Sequence, residues 1–76
     1  MLELFILENC PYCKKVISYL DENKMEYRKI DITNEESKNS LIQIGGKRQV
    51  PFLIDTERNV QMYESADIIE YLKTIK

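Results

Sequence analysis

An apolar run, Leu4-Phe5-Ile6-Leu7, ends just before Cys10-Pro11-Tyr12-Cys13, and this junction limits what the chain can fold into. Leu2 to Leu7 reads as a buried strand. Pro11 suits the first position of a helix, because its fixed φ is already helical and its missing N–H is not needed there. Cys10 then falls at the N-cap. A strand that hands the chain to a helix through two cysteines also carries a chemical consequence.

A sulfur at the N-cap lies near the unpaired N–H groups of the first turn, where the helix dipole places about half a positive charge. Both effects favour a thiolate. A free cysteine has a pKa of about 8.5, and helix N-terminal Cys-x-x-Cys sites fall to roughly 3.5–7.5. Lys14 and Lys15 add positive charge in the same turn. Cys13 stands one turn further in, more shielded, and within reach of Cys10 for a disulfide. Position therefore assigns roles: Cys10 attacks a disulfide and Cys13 resolves the mixed disulfide. Other readings of the pair exist. The chain has no His and no further Cys, so a zinc or iron–sulfur site would need a second chain or an external thiol. A structural disulfide across so short a loop removes little entropy from the unfolded chain.

The 76 residues carry a formal charge of −2 with both signs interspersed. That balance points to neither nucleic acid nor a membrane surface. No apolar run approaches the ~18 residues of a membrane span, and no signal-peptide pattern opens the chain. The expectation is one domain over residues 1–76, cytoplasmic and monomeric, in a compartment where a lone Cys-x-x-Cys is more often catalytic than structural.

Pro11 to about Asn23 reads as a helix with Val16, Ile17 and Leu20 inward, ended by Asp21-Glu22-Asn23-Lys24. Met25 to Ile32 reads as a second strand, with Ile30 and Ile32 on one face. Strand, helix and strand in succession imply a parallel βαβ unit. Thr33 is expected to cap the next helix in a capping box with Glu36. Leu41, Ile42 and Ile44 would form its apolar face, and Gly45-Gly46 its end. Pro51 to Asp55 reads as a third strand, Asp55 to Asn59 as a turn, and Val60 to Met62 as a fourth strand. Ser65 is expected to cap a last helix to about Ile75, with Ile68, Ile69, Leu72 and Ile75 inward. Tyr19, Tyr27, Tyr63 and Tyr71 read as packing residues with hydroxyls at the surface. The first strand, the most continuously apolar, should be central.

With these residues in view, the chain resembles a glutaredoxin over nearly its whole length. Cys10-Pro11-Tyr12-Cys13 stands where that family has its dithiol, Ile30-Asp31-Ile32 resembles its second-strand ending, and Gln49-Val50-Pro51 resembles its Thr-Val-Pro. The resemblance implies the thioredoxin fold: an α/β domain whose four-stranded mixed sheet runs in order 2-1-3-4, flanked by three helices. It also implies a cis-proline at Pro51 beside the dithiol, leaving the Val50 N–H and C=O to pair with a bound glutathione as an added strand would. Tyr12 would pack across the bound thiol.

The resemblance departs at two places. Where glutaredoxins usually carry Gly-Gly, this chain has Met62-Tyr63-Glu64-Ser65-Ala66-Asp67, which is similar to the Glu-Ser motif of glutathione transferase N-terminal domains. Glu64 would face the ligand's ammonium, and Ser65 with the helix N-terminus would accept its carboxylate. Three residues before the first cysteine, many glutaredoxins have a Lys that pairs with the glycyl carboxylate; here that position is Leu7. Lys47 or Arg48 would then supply the charge. The implied activity is glutathione-dependent reduction of protein disulfides and glutathione mixed disulfides, with glutathione as co-substrate and no bound metal or prosthetic group. The departure at Leu7 keeps open a redoxin reduced by a flavoprotein reductase and serving ribonucleotide reductase. A dimeric iron–sulfur or zinc module is disfavoured by Pro11.

Overall fold

The order of elements is β1 (Leu2–Ile6), α1 (Pro11–Glu22), β2 (Tyr27–Asp31), α2 (Glu35–Gly45), β3 (Phe52–Asp55), β4 (Val60–Tyr63) and α3 (Ser65–Ile75). It comes from a computed structural model that describes residues 1–75. The strands form one sheet in the order β2-β1-β3-β4. β1 runs parallel to β2, with Phe5 beside Ile30, and antiparallel to β3, with Phe5 beside Phe52. β4 closes the hairpin against β3. This is the thioredoxin fold that the resemblance implies, with β1 in the interior of the sheet.

Alternation along β1 builds both faces of the core. Leu2, Leu4 and Ile6 point to one face, where Cys13, Val16 and Leu20 of α1 and Ile68 and Leu72 of α3 bury against them and Leu53. Phe5 points to the other, where Ile32, Leu41 and Phe52 complete a smaller cluster. The first face therefore fixes the start of α1, and with it the cysteines. Each of the aliphatic and aromatic side chains among these contributes about 1.5–3 kcal/mol of burial.

Local chemistry moves several boundaries. α1 ends in a Schellman motif: Lys24 takes φ 52°, its N–H donates to the Asp21 carbonyl, and the Met25 N–H donates to the Leu20 carbonyl. The second strand consequently starts at Tyr27 rather than Met25. Asn34, not Thr33, caps α2, its Oδ1 accepting from the Ser37 N–H at 3.2 Å. Thr33 is drawn the other way, donating from its N–H and its hydroxyl to the Asp31 carboxylate at 2.8 and 2.9 Å. Asn is at least as good a cap as Thr, and Asp31 offers Thr33 a side-chain turn of its own. The proposed capping box does not form. Ser65 likewise is the first residue of α3 rather than its cap. Glu64, at φ 74°, makes the turn out of β4, and its carbonyl accepts from the Ile68 N–H.

α2 is the least anchored helix. Only Leu41 among its residues is buried, while Ile42 and Ile44 are 39% and 46% exposed. The expected three-residue apolar face therefore narrows to one, because among the described residues no other element covers Ile42 and Ile44. Three of the tyrosine hydroxyls have protein partners: that of Tyr71 is part-buried, while those of Tyr27 and Tyr63 stay at the surface as expected. Tyr71 donates to Asp55 at 2.6 Å and Tyr63 donates to the Lys47 carbonyl at 2.7 Å.

The Tyr63 contact ties the loop after α2 to β4. Its ring stacks on Phe52 at 4.4 Å between centroids, and the Lys47 ammonium lies 4.9 Å above it. Gly45 leaves room for this ring: a Cβ there would overlap the Tyr63 hydroxyl and come to 2.8 Å from Cζ. We expect Gly45→Ala to lower stability by about 1–3 kcal/mol through overpacking, read as a fall in the thermal midpoint. Adding Tyr63→Phe to the same chain should recover part of that loss, because the overlapping oxygen is gone. A Gly45→Ala chain as stable as the parent would refute the contact.

Candidate active site

Cys10 takes an extended backbone, φ −83° and ψ 115°, at the N-cap of α1, with Pro11 opening the helix. Its Sγ accepts from the Cys13 N–H at 3.3 Å. That single bond does what the sequence anticipates: an unpaired N–H of the first turn is directed at the first sulfur. Both cysteines are free thiols, Cys10 half-buried and Cys13 fully buried. Burial pushes the Cys13 thiol up to about 12, reinforced by its hydrogen bond to Cys10. The second sulfur is therefore a protonated, enclosed thiol at neutral pH, held behind a more accessible one.

Beside this turn lies a groove of about 460 Å³ lined by Tyr12, Gln49, Val50, Pro51, Glu64, Ser65 and Ala66. Three separated segments meet here. The start of α1 brings Tyr12, which is 60% exposed. The loop before β3 brings Val50 and Pro51 across a cis peptide bond. The β4–α3 turn brings Glu64 and Ser65. Among the described residues, neither the N–H nor the C=O of Val50 has a hydrogen-bonding partner. A peptide-like ligand lying in the groove finds those two groups free.

Five residues expected to hold a ligand, Tyr12, Val50, Pro51, Glu64 and Ser65, thus share one concavity. Arg48 and Lys14 do not line it. Lys14 borders a separate shallow groove with Pro11, Lys15 and Ser18, and Lys47 places its ammonium over Tyr63. Sequence reasoning left out Gln49, whose Nε2 donates to Glu64 Oε1 at 3.3 Å. Its position directly before Val50-Pro51 was the available signal. The Gln49 amide steadies the carboxylate that faces the groove.

The comparisons with known proteins agree with the fold. The model for the glutathione S-transferase N-terminal domain matches residues 4–76. The chain belongs to that thioredoxin-fold family. Glutaredoxin 1 of Rickettsia felis is 37% identical over 51 residues, which are 63% of this chain and 50% of that protein. The chain thus spans about half the length of the glutaredoxin relatives it matches. Among solved structures, glutaredoxin 2 from Salmonella typhimurium in complex with glutathione superposes with a TM-score of 0.85 at 21% identity, covering 99% of this chain and 34% of that one. A thioredoxin-like protein superposes end to end, covering 100% of both chains, with a TM-score of 0.84 and 19% identity.

Proposed function

We propose that this chain is a glutathione-dependent thiol–disulfide oxidoreductase that reduces glutathione mixed disulfides and protein disulfides. The observation that carries the reading is the asymmetry of the two sulfurs at one helix start. Cys10 is accessible and receives a backbone N–H; Cys13 is enclosed and stays protonated. Cys10 attacks the glutathionyl sulfur, and the displaced thiol leaves with the electron pair. Glutathione then attacks the same sulfur, releasing glutathione disulfide and restoring Cys10. With a protein disulfide, Cys13 attacks Cys10 instead, which releases the protein as a dithiol, and two molecules of glutathione in turn reduce the Cys10–Cys13 disulfide and leave as glutathione disulfide.

The groove supports glutathione as the co-substrate. The free Val50 backbone groups suit its cysteinyl backbone, Glu64 suits its ammonium, and Ser65 at the start of α3 suits its γ-glutamyl carboxylate. The reaction needs a reducing compartment such as the cytoplasm. The test is a coupled assay in which glutathione and its regenerating enzyme are the only source of electrons. Steady turnover of a glutathionylated peptide supports the reading. Turnover that is absent with glutathione and appears only with a flavoprotein reductase that acts on the chain's own disulfide transfers the chain to the redoxin class, which the uncharged Leu7 favours.

A further inference from the structure

A shallow groove of about 420 Å³ runs between α1 and α3 beside the dithiol turn. Tyr19 and Ile69, both half-buried, line it, and Lys14, Lys15 and Ser18 stand exposed along its α1 side. It adjoins the groove of Val50 and Ser65 on both helices. Pro11 borders it where Tyr12 borders the other, and Ile69 lies one helical turn beyond Ala66. The Lys15 ammonium lies 6.0 Å from the centre of the Tyr12 ring. Among the described residues, neither lysine has a carboxylate within salt-bridge distance. Glu22, the last residue of α1, is the groove's one acid. A chain of net charge −2 thus sets two cations without an anionic partner next to its dithiol.

The ligand placement in the redox reading gives this groove a direction. The Val50 backbone groups take a cysteinyl backbone, while Glu64 and Ser65 take the γ-glutamyl group bonded to the nitrogen of that cysteine. A longer peptide whose cysteine sits in the same place sends its N-terminal side over Ser65 and Ala66, toward Ile69 and the lysines. We propose that the α1–α3 groove receives the segment N-terminal to the reactive cysteine of a protein disulfide and prefers it acidic, with Lys14 and Lys15 as the residues that select it. The inference rests on the redox reading above. In the step concerned, a bond forms between Cys10 Sγ and the sulfur of that cysteine. The bond from that sulfur to its former partner breaks. The partner sulfur departs in line, on the side away from Cys10, with the electron pair, and takes a proton from solvent. Cys10 is oxidised and the departing thiol is reduced. Cys13 then attacks Cys10 Sγ and frees the peptide thiol.

The test uses two end-blocked peptides, Glu-Glu-Ala-Cys-Ala and Gln-Gln-Ala-Cys-Ala, each as its mixed disulfide with 2-nitro-5-thiobenzoate. The alanine before the cysteine carries the two acids past Glu64. The aryl thiolate is the better leaving group, so Cys10 is directed to the peptide sulfur, and absorbance follows the release. Each rate constant is divided by that of the same disulfide with free glutathione. The parent chain should prefer the acidic peptide by about three- to tenfold, the scale of two exposed ion pairs, and added salt should reduce the preference. Lys14→Gln together with Lys15→Gln should bring the ratio close to one. Ser18→Glu should lower it and Glu22→Lys should raise it, both at exposed positions of the groove. Each variant is read as a ratio between two peptides, so a change in the reactivity of Cys10 itself cancels. Equal normalised rates in the parent chain, or a ratio that neither Ser18→Glu nor Glu22→Lys moves, overturn the docking groove and leave the redox reading standing. Failure of the parent chain to release the aryl thiolate from either peptide faster than free glutathione does overturns the redox reading and the groove together.

Discussion

Cys10→Ser should reduce exchange to the uncatalysed rate, a loss on the order of 10³-fold or more for a nucleophile, while Cys13→Ser should retain turnover of glutathione mixed disulfides. The difference follows from where each sulfur sits. Cys10 is the accessible member and is the only one to receive the first-turn N–H. Cys13 is fully buried, and burial is the main reason its thiol is pushed up to about 12. Removing Cys13 therefore deletes a sulfur that is protonated at pH 7, and external glutathione completes the reaction without it. A protein disulfide behaves differently, because its mixed disulfide with Cys10 is resolved by Cys13. Resolution needs the Cys13 thiolate, whose fraction grows as pH rises toward the raised value. The rate of protein-disulfide reduction should accordingly climb with pH beyond neutrality, whereas glutathione mixed-disulfide turnover in Cys13→Ser should lack that component. Stopped-flow alkylation checks the premise: iodoacetamide at pH 7 should modify Cys10 first. Equal loss of both activities in both variants, or faster labelling of Cys13, would contradict the assignment.

The junction of β1 and α1 was legible because each of its signals is local. A run of apolar residues, a proline with helical φ and a cysteine one place earlier need no distant partner to be interpreted. The sheet order came with the resemblance; the residues themselves pointed only to the central place of the first strand, through its continuous apolar run. The cis state of Val50-Pro51 was not readable from the dipeptide, since only about 5–6% of such bonds are cis in folded proteins; it came with the resemblance. Where two local rules compete, the sequence leaves a tie. Thr33 and Asn34 are both good caps, and Asp31, by engaging Thr33, decides between them. Helical spacing also says which residues share a face without saying whether anything covers it, hence the exposure of Ile42 and Ile44. The Gln49–Glu64 contact and the groove between α1 and α3 depend on segments far apart in the chain.

Asp55→Ala should be strongly destabilising, by about 2–4 kcal/mol, or a thermal midpoint lower by about 10–30 °C in a chain of this size. Asp55 is a charged residue only 1% exposed. Its carboxylate accepts from the Tyr71 hydroxyl at 2.6 Å, from Arg58 Nη1 at 3.2 Å, and from the N–H groups of Glu57 and Arg58 at 3.1 and 3.3 Å. It thereby joins the β3–β4 turn to α3. Burial alone would raise its carboxyl, but the Tyr71 and Arg58 hydrogen bonds with the two turn N–H groups outweigh it and hold the carboxyl below the ordinary range. A lowered folded value means that the stabilisation is complete above the unfolded pKa, about 3.9. It is lost as pH falls through the lower folded value. The parent chain should therefore lose stability steeply below about pH 4, and Asp55→Asn, which cannot ionise, should show a flatter profile there. Urea unfolding at pH 7 and pH 3 measures this directly: the gap between parent and Asp55→Asn must shrink at the lower pH, and a constant gap would remove the carboxylate's charge from the explanation. Because Asp55 pairs with Leu2 at the start of β1 while Cys10 follows its end, the folded fraction of either variant should exchange thiols at the parent rate. Stability and chemistry are thus separable at the two ends of one strand, and a variant that lost both together would show that the far end of the sheet also positions the dithiol.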